Sequence, residues 1–205
     1  SRQTNRISAN VSGFLGTTRI ALNDNLLDQC SPSEVLAVLG HEIGHYVMNH
    51  VGHMLLEFAF LLATLFALVA YSFRALMKRF GVKWGISSET DPAGLPLMVA
   101  LFSFFMFWTT PVFNTITRTA EQQADVFGLN AARQPDAFAE VTLKLSTYRK
   151  LAPSAFEEFW FYDHPSGRTR ILTAMRWKKA HMYDADIASG PISPGQGGAP
   201  NSGWK

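Results

Sequence analysis

The stretch VLGHEIGHYVMNH, Val38 to His50, decides the reading of this chain. It follows Ser31-Pro32-Ser33-Glu34, in which Ser31 is a helix N-cap, Pro32 suits the first helical position and Glu34 is the far half of a capping box. A helix is therefore expected from Pro32 onward. On it His41 and His45, four residues apart, project from one face and can reach a single ion. Glu42, beside the first histidine, projects toward the same point. H-E-x-x-H on a helix is a zinc pattern: two imidazoles bind, a third protein ligand completes the set, and the glutamate takes the proton of a water at the fourth position.

The third ligand fixes the subclass. A metzincin needs glycine three residues after the second histidine and histidine three beyond that, but Met48 and Val51 stand there. His50 falls on the far side of a continuous helix and His53 at the threshold of an apolar block, so both read as interfacial or structural histidines. EQQAD offers Glu121 and Asp125, again four apart on one helical face. One carboxylate can complete a His₂Glu set, while the other holds a ligand imidazole through its second nitrogen. Alone, paired acids on a helix are usually a solvated face; beside HEIGH they gain weight.

Two blocks, Met54–Phe73 and Leu95–Phe113, are almost pure hydrocarbon. Each is close to the ~20 residues that carry a helix across a hydrocarbon core. A transmembrane hairpin is the expectation, and a pair of buried core helices is the alternative. Glu57, the one charge in the first block, lies near its start, where it can reach the interface. Arg74, Lys78, Arg79 and Lys83 cluster in the linker to Gly94 as a headgroup-facing patch. Upstream, Arg6 to Asp24 alternates moderately around Gly13 and Gly16, as two short strands joined by a tight turn would. Downstream, helix is expected through NTITRTAEQQADVFGLNAAR, broken at Gln134-Pro135 and resumed through DAFAEVTLKLSTYRKL. The Gly-, Pro- and Ser-rich stretch 185–205 reads as a disordered tail.

With 205 residues the chain has length enough for one domain core. A formal charge of +2 argues against a nucleic-acid partner, which calls for a strong basic excess on one face. Cys30, the single cysteine, can form no internal disulfide. The start at Ser1, with nothing like a signal peptide, is read as that of a fragment, before which further membrane segments are expected.

ANVSGFLGTTRIALNDNLL, SPSEVLAVLGHEIGHYVMNH, the two apolar blocks, EQQAD and DHPSGRTRI occur in an order that resembles an integral-membrane zinc metalloprotease family. That family holds the type I CAAX prenyl proteases and the bacterial heat-shock membrane protease. The likeness runs from about Ala9 to Trp177, and the layout is most like the CAAX type. It implies His41, His45 and Glu121 as zinc ligands, Glu42 as catalytic base and Asp125 as the acid behind a ligand. It also implies that His164 and Arg170 face the substrate and the developing oxyanion, and that Asn10 lies on an edge strand which pairs with an extended substrate. From the residues alone, His164 reads first as a loop histidine, while Arg170 is equally a partner for an acid such as Asp163 and Asn10 equally a turn former.

The expected fold is mostly α, within α+β: a zincin-like metalloprotease domain with a short β-sheet. Residues 1–53 and 114–184 form the catalytic part, and the transmembrane hairpin 54–113 is inserted between HExxH and the third-ligand helix. One catalytic zinc ion is the expected cofactor, and membrane-associated or lipidated proteins or peptides are the expected substrates. CAAX-type processing, quality-control proteolysis of membrane proteins and a non-catalytic zinc scaffold remain alternatives, the intact Glu42 speaking against the last. The sequence sets no oligomeric state. The resemblance implies an integral membrane protein, in the inner or plasma membrane if bacterial, with its catalytic domain facing the cytoplasm. The basic cluster in the hairpin loop argues for the reverse orientation by the positive-inside rule.

Overall fold

The computed structural model describes residues 7–12, 17, 19–146 and 149–188. Its architecture is mostly helical with one small sheet. Strands β1 (Ala9–Ser12) and β2 (Arg19–Leu22) pair antiparallel, with Ala9 opposite Leu22 and Asn10 opposite Ala21. The turn expected around Gly13 and Gly16 lies outside the described residues. Helix α1 (Asp24–Gln29) is capped by the Asn23 side chain, which accepts from the Leu26 N–H.

Helix α2 (Pro32–Val47) starts as its sequence dictates. The Ser31 hydroxyl accepts from the Glu34 N–H, and the Glu34 carboxylate accepts from the Ser31 N–H, so two otherwise orphaned donors are satisfied at once. Glu34 is 2% exposed and pairs with Lys144 at 2.8 Å, which ties the head of α2 to α5 (Pro135–Leu145). After α2 the chain turns at Met48 and Asn49 and enters α3 (His50–Phe80). Asn49 takes the left-handed conformation at φ 51°, which asparagine tolerates better than most residues.

Helices α3 and α4 (Leu95–Ala132) form the apolar hairpin. Both are longer than the hydrocarbon blocks within them. α3 runs on through Arg74, Lys78 and Arg79, good helix formers whose positive charges favour a helix C-terminus, so the expected linker shortens. A single 38-residue helix, about 57 Å at ~1.5 Å per residue, carries α4 through Pro111 to the EQQAD motif. Only 11% and 6% of the most apolar windows of α3 and α4 are buried, with Leu56, Phe60, Phe104 and Phe107 among the exposed side chains. These apolar stretches are not part of the buried core of the described domain, and the helices that carry them are long and apolar enough to cross a membrane.

The core lies elsewhere. Ala37 of α2, Leu129 of α4, Phe138 of α5 and Ala174 and Trp177 of α7 (Gly167–Ala180) form one buried cluster. Ile187 of α8 (Ala185–Ala188) joins it, while Arg133 pairs with Asp184 and Asp186. The stretch expected to be a disordered tail thus begins as a packed helical turn, because one isoleucine and two acids find partners. The remainder, 189–205, lies outside the described residues. A short helix α6 (Ala155–Phe161) leans on α4, with Trp160 against Phe107 and Trp108 at 5.1 and 5.5 Å between ring centroids.

A hairpin with this much exposed hydrocarbon is expected to hold the protein in membranes through carbonate or high-salt washing, since buried apolar area outweighs electrostatic attachment. Quantitative release into the wash would contradict insertion.

Candidate metal centre

Three glycines bring α2 and α4 together. A Cβ added at Gly128 would lie 2.8 Å from the backbone nitrogen of His41, one at Gly44 would lie 3.1 Å from the Cα of Ala124, and one at Gly40 would lie 3.2 Å from the Cβ of Ala132. The two backbones therefore touch where any larger residue would hold them apart. At this distance the short side chain of Glu121 reaches the HEIGH face of α2.

His41 Nε2 and His45 Nε2 stand 3.1 Å apart, and each is 3.4 Å from an oxygen of Glu121. Tetrahedral bonds of about 2.0–2.1 Å imply separations of roughly 3.3 Å between ligand atoms, so the three donors fit three vertices of such a shell. No other protein donor atom joins this cluster among the described residues. The charges fit as well. Asp125 is matched by Arg170, and the two remaining acids, Glu121 and Glu42, balance one dication. Burial disfavours a charged His41, yet hydrogen bonds to Asp125 and Glu121 more than compensate and raise its pKa to about 9. The carboxylates thus create a field that holds positive charge at this point.

The second nitrogen of each imidazole is also engaged. His41 Nδ1 donates to Asp125 at 2.8 Å, and Arg170 donates from Nε and one Nη to the two oxygens of that same carboxylate, at 2.9 and 2.5 Å. His45 Nδ1 lies 2.9 Å from Nδ1 of His50, whose Nε2 donates to Gln123 at 3.0 Å. Arg170, expected to face the substrate and the oxyanion, is among the residues that line the cavity over this cluster. It lies behind His41 with its fork closed on Asp125 and its guanidinium over the Phe138 ring, 5.2 Å from the centroid. Asp163, the other acid considered for it, pairs with Arg149.

His164 stands beside this cluster, its Nε2 3.4 Å from Glu121 and its side chain 42% exposed. Arg118, one turn before Glu121 on α4, explains the placement. It donates to the carbonyls of Glu158, Phe159 and Tyr162, so it pins the end of α6 and the loop that carries His164 to the helix that carries Glu121. Ser166 then caps α7, whose first turn holds Arg170. Arg118, His50 and Gln123 were not among the expected site residues; the only sequence signal for Arg118 is its position one turn ahead of a ligand.

A cavity of about 500 Å³ opens on the cluster. Glu42 and His164 line it beside the ligands, and Asn10 lines it from the exposed face of β1. Val141 and Leu145 of α5 add an apolar wall, and Val51 and Met54 bring the first turns of α3 to it, where the hydrocarbon begins.

The sequence profile of peptidase family M48 matches residues 1–178. This chain belongs to peptidase family M48. It is 30% identical over 189 residues to "Uncharacterized metalloprotease YhfN" of Bacillus subtilis, covering 91% of this chain and 44% of that protein. It is 34% identical over 131 residues to "CAAX prenyl protease 1 homolog" of Dictyostelium discoideum, covering 63% of this chain and 30% of that one. An M48 relative named "Protease HtpX homolog", from Desulfatibacillum aliphaticivorans, is 27% identical over 65% of this chain and 42% of its own. The fold matches the crystal structure of S. mikatae Ste24p at a TM-score of 0.65 and 23% identity, over 83% of this chain and 42% of that one. The chain thus spans less than half the length of each of these proteins.

If Asp125 orients His41, Asp125→Asn removes the charge behind the ligand and strands a buried Arg170. Chelator competition should then show zinc affinity lowered about 10- to 100-fold, the scale for losing such a partner. Unchanged affinity would take Asp125 out of that role.

Proposed function

We propose that this chain is the catalytic part of a membrane-embedded zinc endopeptidase, formed by residues 1–53 and 114–184 around the hairpin 54–113. The observation that carries it is the triangle of His41, His45 and Glu121 facing a cavity that Glu42 and His164 also line. Two imidazoles and a carboxylate at these separations are a donor set suited to zinc. When bound, zinc supplies Lewis-acid polarisation of a scissile carbonyl and acidifies a water.

The chain's own residues supply the rest. Glu42 takes the proton of the attacking water and passes it to the leaving amine. His164, at the rim of the ligand cluster, donates a hydrogen bond to the oxyanion as it forms. Arg170 and Asp125 hold the His41 ring so that its Nε2 keeps its aim. β1 receives the substrate as an added strand. Its register with β2, and the Asn23 N–H donating to the Ser8 carbonyl, turn the backbone groups of Ser8 and Asn10 toward β2. Those of Ala9 and Val11 therefore face the free edge, and Asn10 contributes its side chain.

The proposed substrates are membrane-associated or lipidated proteins and peptides, because the cavity wall continues into the hydrocarbon of α3 at Val51 and Met54. The layout of the motifs supports CAAX-type trimming of a lipidated C-terminus, with quality-control proteolysis as the alternative. Cleavage of a prenylated peptide three residues from its end would separate the two.

Two variants test the assignment of roles. Glu42→Gln leaves all three ligands in place, so it should keep zinc at wild-type stoichiometry while turnover drops by about 10² to 10⁴, the range for general acid–base action. His164→Phe should also keep zinc and lose roughly 10² or more in turnover with little change in substrate binding, the scale for one oxyanion donor. Metal analysis with single-turnover kinetics reads both. Near-normal turnover in Glu42→Gln would remove it as the base.

A further inference from the structure

His50 is 4% exposed and both of its ring nitrogens are engaged by side chains, although nothing in the proposed mechanism uses it. Five residues along a continuous helix would leave it about 140° around the axis from His45. The chain is not continuous there. Asn49, left-handed at φ 51° and ψ 40°, breaks the path between α2 and α3 and swings His50 back over His45, their rings at 74° with centroids 5.0 Å apart.

We propose that His50 is a positioning residue for the metal, acting through His45. This rests on the reading of His41, His45 and Glu121 as ligands. For His45 Nε2 to offer its lone pair to an ion, the ring proton must sit on Nδ1. The acceptor at 2.9 Å from that proton's nitrogen is Nδ1 of His50. His50 must then carry its own proton on Nε2, where the Gln123 carbonyl oxygen accepts it at 3.0 Å. The chain of bonds from Gln123 through His50 to His45 therefore selects the tautomer and the ring angle of the second ligand. It does for His45 what Arg170 and Asp125 do for His41, but with neutral groups. Gln123 lies two residues after Glu121 on α4, so the same helix supplies a ligand for the ion and the anchor for a ligand from α2.

The test is zinc affinity by chelator competition, with the visible spectrum of the Co²⁺-loaded form, on the purified full-length protein and three variants. His50→Leu removes the acceptor and should bind zinc about 10- to 100-fold more weakly, with an altered Co²⁺ spectrum. His50→Asn places an oxygen near the former Nδ1 and should recover most of that loss, whereas a space-filling role predicts the opposite order. Gln123→Leu, a change at an exposed position, should weaken zinc by a smaller factor without lowering the melting temperature. Wild-type affinity in His50→Leu, or His50→Asn as weak as His50→Leu, would overturn the inference. If His50→Leu does not fold, unchanged affinity in Gln123→Leu does so. A wild-type protein that binds no zinc would overturn the metal site itself, and this inference with it.

Discussion

The contact between α2 and α4 is the constraint on which the rest of the structure depends. Glu121 stands on a helix that shares only a seam with the HEIGH helix, and that seam closes because Gly40, Gly44 and Gly128 present no side chain. Helix axes separated by ordinary side chains lie about 8–10 Å apart. A Cβ 2.8 Å from the His41 backbone would force α2 away from α4 just at the first ligand. Each glycine carries an entropic cost of roughly 0.5–1 kcal/mol against alanine in a helix interior. The metal geometry obtained in return explains three of them on facing surfaces.

From this seam the site is assembled by rigid pieces. α4 is one helix from the apolar block to the core, so Glu121, Gln123 and Asp125 move with the hydrocarbon segment. α3 leaves α2 through a two-residue joint that also delivers His50. Arg118 fixes the His164 loop to α4, and Ser166 starts α7 so that Arg170 meets Asp125. The His41, His45 and Glu121 cluster, its orienting partners and Glu42 thus stand at the root of the apolar hairpin.

What was legible in the sequence was what helical periodicity and local chemistry dictate. The start of α2 follows from Ser31, Pro32 and Glu34; the pairing of His41 with His45, and of Glu121 with Asp125, follows from four-residue spacing; the hairpin follows from two long apolar runs. Interactions between distant segments were not legible. Arg170 lines the cavity and also pairs with Asp125, and nothing local in GRTR says which acid that is. His50 was assigned to the far side of a helix because no spacing rule reveals that Asn49 turns left-handed. The apolar block to Phe113 and the helix from Asn114, read as separate segments, form the single helix α4, because one missing hydrogen bond at Pro111 does not end a helix that is held along most of its length. The packed turn at Ala185–Ala188 depends on Arg133, more than fifty residues away.

The claim that close helix contact builds the metal centre is tested most directly by the zinc affinity of Gly44→Ala. One methyl group is added on the seam against the Ala124 backbone, while His41, His45 and Glu121 are left unchanged. The account predicts a folded protein of nearly unchanged helical content whose zinc binding falls by an order of magnitude or more. Wild-type zinc affinity in that variant would mean that Glu121 reaches the histidines without the seam, and would contradict the account.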